Sequence, residues 1–178
     1  MRREDGDDQL VARAGDGDVD AFEALVRRHS APVYRVALRM LGRAADAEDV
    51  TQEVFLQVWR SLDQFRGESG LATWLYRITT NRCLNRLRRD RRTEPMPDVV
   101  TSSTPGPART VEARGQLEEL GRVILALNPQ QRTVLVLREF EGCSYEQIAE
   151  ILQIGVPAVK SRLHRARLSV LTAMRGWS

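Results

Sequence analysis

The stretch that most constrains this chain is Asn128 to Arg167, NPQQRTVLVLREFEGCSYEQIAEILQIGVPAVKSRLHRAR, where apolar residues recur with a helical period between clear start and stop signals. Asn128 is placed to cap a first helix, Pro129 suits its first turn, and Gly142 ends it. Ser144 with Gln147 forms a capping box that opens a second helix. That helix puts Ile148, Ile151 and Leu152 on one face, the stripe of a packed element. After a break at Gln153 to Val156, Val159, Leu163, Ala166 and Val170 form the buried stripe of a third helix. Lys160, Ser161, His164 and Arg165 then face away from the stripe, and the helix carries no acid. Two short helices, a tight turn and a basic outer face are what a helix-turn-helix needs to enter a major groove. A three-helix bundle with a solvated charged face reads the same pattern without DNA.

Composition places the rest of the chain in the same class. Aromatics make up 6% of the 178 residues and charged residues 29%, and alternating β-branched runs are almost absent, so an all-α protein is expected. The net charge of +3 hides segregation. Residues 1–20 carry three Arg against seven acids, whereas residues 66–92 carry eight Arg against Glu68 and Asp90. From Ile151 to the end there are five Lys or Arg and no acid. Two separated basic segments point to two polyanion contacts.

Cys83 and Cys143 lie far apart with no CxxC and no clustered His, which argues against a disulfide framework or a zinc site, and no cofactor is expected. MRREDGDDQL has no apolar segment and no stretch nears 18 uncharged apolar residues, so a soluble, cytoplasmic chain without membrane insertion is expected. Asp16, Asp18 and Asp20 have the alternation of a calcium loop, but Ala21 and Arg27 stand where that loop needs Gly and Glu. No convergent polar constellation of an enzyme appears.

The chain divides once. Thr93 to Ala108, TEPMPDVVTSSTPGPA, holds four of the seven prolines and reads as a linker. The expected layout is a helical domain over 1–92, a linker over 93–112 and a helix-turn-helix domain over 113–178. In the first domain four helices are expected. Asp20 to Arg28 carries Phe22, Leu25 and Val26, and Pro32 to Leu41 carries Val33, Val36, Ala37 and Met40. Ala45 to Leu62 carries Val50, Val54, Val58 and Leu62, with Asp46, Glu48 and Asp49 where the helix dipole favours negative charge. Leu71 to Arg89 has an apolar side of Trp74, Leu75, Ile78 and Leu84, while Arg82, Arg86 and Arg89 share another side.

The segment DAEDVTQEVFLQVWRSLDQFRGESGLATWLYRITTNRCLNRLRR closely resembles the core-binding and −10-reading domain of bacterial extracytoplasmic-function (ECF) sigma factors. ALNPQQRTVLVLREFEGCSYEQIAEILQI and VKSRLHRAR resemble their −35-reading domain, in the expected order and across nearly the whole chain. The resemblance implies an alternative sigma factor, with core RNA polymerase, promoter DNA and an anti-sigma factor as partners. It implies that Asp49, Gln52, Glu53 and Trp59 match the face that docks on the polymerase, with core packing the other reading of Trp59. It further implies that Phe65 and Asn81 match a pocket for an unstacked −10 base, with Arg66, Arg77, Arg82, Arg88 and Arg89 toward phosphates. Trp74 also matches a family position but lies on the apolar side, where packing is expected. Lys160, Ser161, His164 and Arg165 match the −35-reading face, with Pro157 and Ala158 at the helix entry. Family members often have Gly where this chain has Gln153 and Pro157, so Gly155 is expected to take the unusual backbone angle. A helix-turn-helix activator is the competing reading, but it leaves the acidic helix and the loop Phe65 to Gly70 unexplained.

Overall fold

The computed structural model describes residues 6–67, 69–93 and 111–175, and all regular structure among them is helical. Eight α-helices follow in order: α1 Asp7–Gly15, α2 Val19–Leu41, α3 Ala44–Ser61, α4 Leu71–Thr93, α5 Val111–Ala126, α6 Pro129–Leu135, α7 Tyr145–Leu152 and α8 Val156–Met174. The expected linker falls mainly on residues 94–110, outside the described residues.

The first four helices enclose one core. Ala21, Leu25, Val33, Val36, Ala37 and Met40 of α2 meet Val50, Val54 and Val58 of α3 and Leu75, Ile78 and Cys83 of α4. One difference from the sequence expectations stands out here. Asp20–Arg28 and Pro32–Leu41 are not two helices but one, with Pro32 inside it. Proline removes an N–H that would have bonded Arg28, yet the buried positions on both sides fall on one face, and their common packing outweighs the lost bond. The cap is Asp18, whose side chain accepts from the Ala21 N–H at 3.1 Å and which Arg13 also holds at 2.8 Å. That backbone N–H, followed by Arg13, keeps the Asp18 carboxyl below its ordinary range. Ahead of it, α1 packs Leu10, Val11 and Ala14 on the same core, and Asp7 ties it down through Arg28 at 2.6 Å and His29 at 2.9 Å.

The second core gathers Ile124 and Leu127 beside α5, Val134, Leu135 and Leu137, Ile148 and Ile151 of α7, and Val159, Leu163 and Ala166 of α8. The starts of α6 and α7 are the ones the sequence specifies. Asn128 accepts from the Gln130 N–H at 3.0 Å, and Ser144 and Gln147 make both halves of the capping box. After α6 the chain widens into a π-turn over Val136–Phe140, and Gly142 at φ +68° closes it. The break before α8 differs from expectation. Gln153 itself takes the left-handed conformation at φ +52°, while Gly155 stays at φ −71° and stands at the N-cap of α8. A single αL residue ending a helix costs a non-glycine little when its N–H finds a carbonyl, and here it reaches Glu150.

The two units touch directly. Val136 is buried in the first core although it lies between two elements of the second, and Tyr76 packs against both. Gly42, at φ +78°, ends α2 against Leu125, whose Cδ1 would lie 2.7 Å from any added Cβ.

Candidate nucleic-acid interface

A polar groove runs between α3 and α4. Glu53 and Gln57 line one wall, Arg77, Asn81, Arg82, Asn85, Arg86 and Arg89 the other, and Trp74 is also in the lining. The arginines recur on one side of α4 because 82, 86 and 89 are spaced by a helical turn. They do not stand as a bare positive row. Arg82 Nη1 donates to Glu53 Oε2 at 2.6 Å, and its Nε and Nη2 donate to Gln57 Oε1. Arg86 pairs with Asp46 at 2.6 Å and with Asp49 at 3.5 Å. Arg77 reaches Glu150 of α7 at 3.3 Å, and Arg88 donates to Asn85. Residues expected to meet a protein partner and residues expected to meet DNA thus share one groove.

On the outer side of α3, Asp49, Gln52 and Glu53 are exposed. Trp59 is 41% exposed and rests on Phe22 with ring centroids 4.8 Å apart, so one side packs and the other is open. Leu56, 56% exposed, joins this face between Gln52 and Trp59 and was not among the sequence candidates. Its signal was present: positions 52, 56 and 59 are one turn apart, and an apolar residue there interrupts a polar face.

Past α3 a 3₁₀ turn over Leu62–Gln64 leads to Phe65, half-buried, with its ring 4.9 Å from that of Trp74. Trp74 is half-buried, packed on Phe65 as its place on the apolar side predicts, and it also lines the groove that the exposed Asn81 lines. The Phe65–Trp74 ring pair and the Asn81 amide, two turns along α4 from Trp74, lie on the same unit as the arginines. Arg66 follows, exposed.

On α8 the register predicted from the apolar stripe is the one observed. Val159, Leu163 and Ala166 are fully buried, while Lys160, Ser161, His164 and Arg165 are exposed. Pro157 lies in the first turn with Ala158 after it. Arg165 Nη2 donates to Ser161 Oγ at 3.0 Å, and Lys160 Nζ sits 5.5 Å from the centre of the Tyr145 ring. Arg167 points elsewhere: Glu139 holds it at 2.6 Å, and that hydrogen bond raises its proton affinity above the ordinary.

Comparison with known proteins adds to this geometry. Residues 25–93 match the family model of sigma-70 region 2, and residues 117–170 match sigma-70 region 4. The RNA polymerase sigma-H factor of Pseudomonas aeruginosa is 36% identical over 98% of this chain and 97% of its own. The ECF RNA polymerase sigma-E factor of Haemophilus influenzae is 38% identical over 90% of this chain and 91% of its own. Among solved structures, CnrH in complex with the cytosolic domain of CnrY superposes with a TM-score of 0.74 at 29% identity, covering 98% of this chain and 100% of that one.

Proposed function

The chain belongs to the extracytoplasmic-function sigma factors of bacterial RNA polymerase, and on that premise we propose how its two units divide the work of promoter recognition. It is an alternative sigma factor that binds core RNA polymerase, recognises −10 and −35 elements and promotes promoter opening. Its partners are the core enzyme, promoter DNA and an anti-sigma factor. It acts as an initiation factor in the cytoplasm, without catalytic chemistry of its own, and none of the described helices is long and apolar enough to cross a membrane.

In this reading residues 1–92 dock on the polymerase and read the −10 element, 93–112 join the units, and 113–178 read the −35 element. The observation that carries the division is the pair of basic faces on separately matched units, the arginine side of α4 and the exposed side of α8. Asp49, Gln52, Glu53 and Trp59, with Leu56 among them, form the polymerase-docking face: an apolar centre with charges that choose a basic partner. Phe65 and Asn81 hold the extruded −10 base, with Trp74 packed behind the Phe65 ring, stacking supplying roughly 1–3 kcal/mol and the amide the selectivity. Arg66, Arg77, Arg82, Arg88 and Arg89 follow the phosphates. Arg82 must exchange Glu53 and Gln57 for a phosphate, and an exposed pair of this kind holds it by only about 0–1 kcal/mol. Docking of Glu53 on the polymerase releases Arg82 in the same step, which links DNA contact to core binding.

On α8, Lys160 and Arg165 reach phosphates or guanine edges, Ser161 and His164 read bases, and Pro157 and Ala158 set the helix entry against the backbone. Transcription reconstituted from core enzyme, this chain and a genomic promoter library tests the whole reading. Initiation is expected from a small promoter set only when chain and core are both present. Specific duplex binding by the chain alone, with no core-dependent initiation, is the result expected of a helix-turn-helix activator.

A further inference from the structure

Helices α3 and α4 run antiparallel on either side of the loop Phe65 to Gly70, so early residues of α3 meet late residues of α4. Two rungs of opposite charge cross the groove between them, and they are not alike. Nearer the loop, Arg82 meets Glu53 at 2.6 Å, with both side chains well exposed. Farther from it, Arg86 Nη2 donates to Asp46 Oδ1, also at 2.6 Å, and lies 3.5 Å from Asp49 Oδ2. The Asp46 side chain is only 16% exposed, against 47% for Glu53. Its second oxygen lies 3.7 Å from Arg43 Nε. Next along α3, Ala47 and Val50 are buried in the first core, and so is Cys83, one turn before Arg86 on α4. Burial raises the Cys83 thiol, and the Arg86 charge is the largest effect opposing it, so the guanidinium lies close to that core.

Shielding decides what each rung can do. An exposed pair is screened and gives up its partner at little cost, which suits Arg82 to a passing phosphate. Taking Arg86 away from Asp46 leaves a mostly shielded carboxylate without its main partner, and an uncompensated charge of that kind is costly. Asp46 lies in the first turn of α3, where the helix dipole favours its ionised form. Asp49 adds a second acceptor on the solvent side, and a planar guanidinium serves two carboxylates where an ammonium is a single point. Arg86 therefore ties the start of α3 to the far half of α4. Val50 and Glu53 of α3, with Asn81 and Arg82 of α4, line the groove between this tie and the loop. Asn81 and Arg82 lie little more than one turn from Arg86, so the spacing set at residue 86 is carried directly to them. Arg86 also lines the groove, and direct contact with phosphate is the other use open to it.

We propose that Arg86 is a positioning residue for −10 recognition: braced on Asp46 and Asp49, it fixes the spacing of α3 and α4 at the end of the groove far from the loop, and thereby the place of Asn81 against the extruded base. Reading one base edge with one amide needs placement to roughly 0.5 Å, which packed and hydrogen-bonded neighbours supply. The two rungs divide the work, the exposed one yielding to DNA and the shielded one keeping the groove walls at a set distance. The brace rests on geometry alone, and its consequence for recognition rests on the sigma-factor reading.

The experiment has two arms on the full chain. In the first, thermal unfolding is followed without polymerase or DNA. Arg86→Ala and Asp46→Ala should each lower the midpoint by about 4 °C or more, and the two together by little more than either alone. Arg82→Ala should stay within about 2 °C of the unaltered chain. Additive shifts at 86 and 46, or a shift at 86 no larger than at 82, overturn the brace. In the second arm, core enzyme with the chain binds single-stranded oligonucleotides from promoters found by reconstituted transcription, with the −10 element intact or substituted at one base, over a range of salt. Arg86→Ala and Asp46→Ala should each cut the preference for the intact element by about fivefold or more, with the salt slope unchanged. Arg86→Lys, which keeps the charge but not the fork between two carboxylates, should lose preference too. A salt slope lower by about one in Arg86→Ala, with preference kept in Arg86→Lys and Asp46→Ala, makes Arg86 a phosphate contact and overturns the proposal. Should Arg86→Ala lose helix content by circular dichroism, the other two variants decide, and preference kept in both overturns the proposal. If the unaltered chain shows no −10 preference with core enzyme, the sigma-factor reading of the groove fails, and the unfolding arm still decides the brace.

Discussion

Glu53 of α3 and Arg82 of α4 meet across the groove with Oε2 and Nη1 2.6 Å apart. A residue of the proposed polymerase face therefore occupies a residue of the proposed DNA face. With side chains 47% and 35% exposed, the pair contributes about 0–1 kcal/mol to the fold, so its disruption is readable without unfolding.

Charge reversal at that position separates the two roles. Glu53→Lys should weaken binding to core enzyme by roughly 1–3 kcal/mol if the contact is desolvated there, with little change in thermal midpoint. Fluorescence titration of labelled chain with core measures the first and calorimetry the second. Affinity equal to that of the unaltered chain would remove Glu53 from the docking face.

Asn81→Ala should impair open-complex formation on duplex DNA and relax discrimination at one −10 position, because among the groove residues named above its exposed amide is left for a base while the amides of Gln57 and Asn85 are engaged by Arg82 and Arg88. Permanganate reactivity across a set of −10 base substitutions reads both effects. Phe65→Ala should lower opening at every promoter without changing preference, since stacking is tolerant of sequence. A pocket in the wrong place would show as Asn81→Ala losing no discrimination anywhere.

How far the sequence reaches is clearest at the caps. Asn128, Ser144 and Gln147 satisfy helix ends through side chains a few residues away, and such local bonds are legible from spacing alone. The face of α8 was equally legible, because Val159, Leu163 and Ala166 leave one side for everything else. What escaped depends on distant partners. The continuity of α2 through Pro32 is decided by α3 and α4, not by the residues around the proline. Helix α5 carries Leu120 and Ile124 at helical spacing, but Gly115 and Gly121 weaken its propensity. No pattern near Glu141 announces Tyr76, 65 residues earlier, as its hydrogen-bond partner.

Both cysteines should make the fold sensitive to alkali. Burial pushes the Cys83 thiol up to about 12 and the Cys143 thiol up to about 11. Folded, both thiols stay protonated above pH 9, whereas in the unfolded chain they ionise there, so the unfolded state binds fewer protons and stability falls as pH rises. The limiting slope is about 1.4 kcal/mol per pH unit for each thiol. The window opens at about pH 9, where the thiols of the unfolded chain ionise and those of the folded chain do not. Urea titrations should show a steeper loss across that window for the unaltered chain than for Cys83→Ala. Parallel lines would mean that the thiol is not shielded as its burial implies.

The −35 face gives the sharpest contrast, because α8 carries two arginines two positions apart with opposite surroundings. Arg165 is exposed and bonds only within its own helix, to Ser161. Arg167 is engaged by Glu139 at 2.6 Å, beside the π-turn and away from the proposed DNA side. Arg165→Ala should therefore lower transcription from promoters that have a −35 element and reduce the salt slope of binding by about one if the contact is to phosphate. Arg167→Ala should leave promoter preference intact and cost at most about 1 kcal/mol of stability, as an exposed pair does. Ser161 and His164 sit one turn apart on the same side as Lys160, so alanine at either should alter preference at single −35 positions without changing the salt slope. Alanine variants from Lys160 to Arg167, assayed against −35 substitutions, test all of this together. Losses concentrated at Arg162 and Arg167, with none at Ser161, His164 or Arg165, would place the DNA on the other side of α8, which the burial of Val159, Leu163 and Ala166 leaves as the only alternative face.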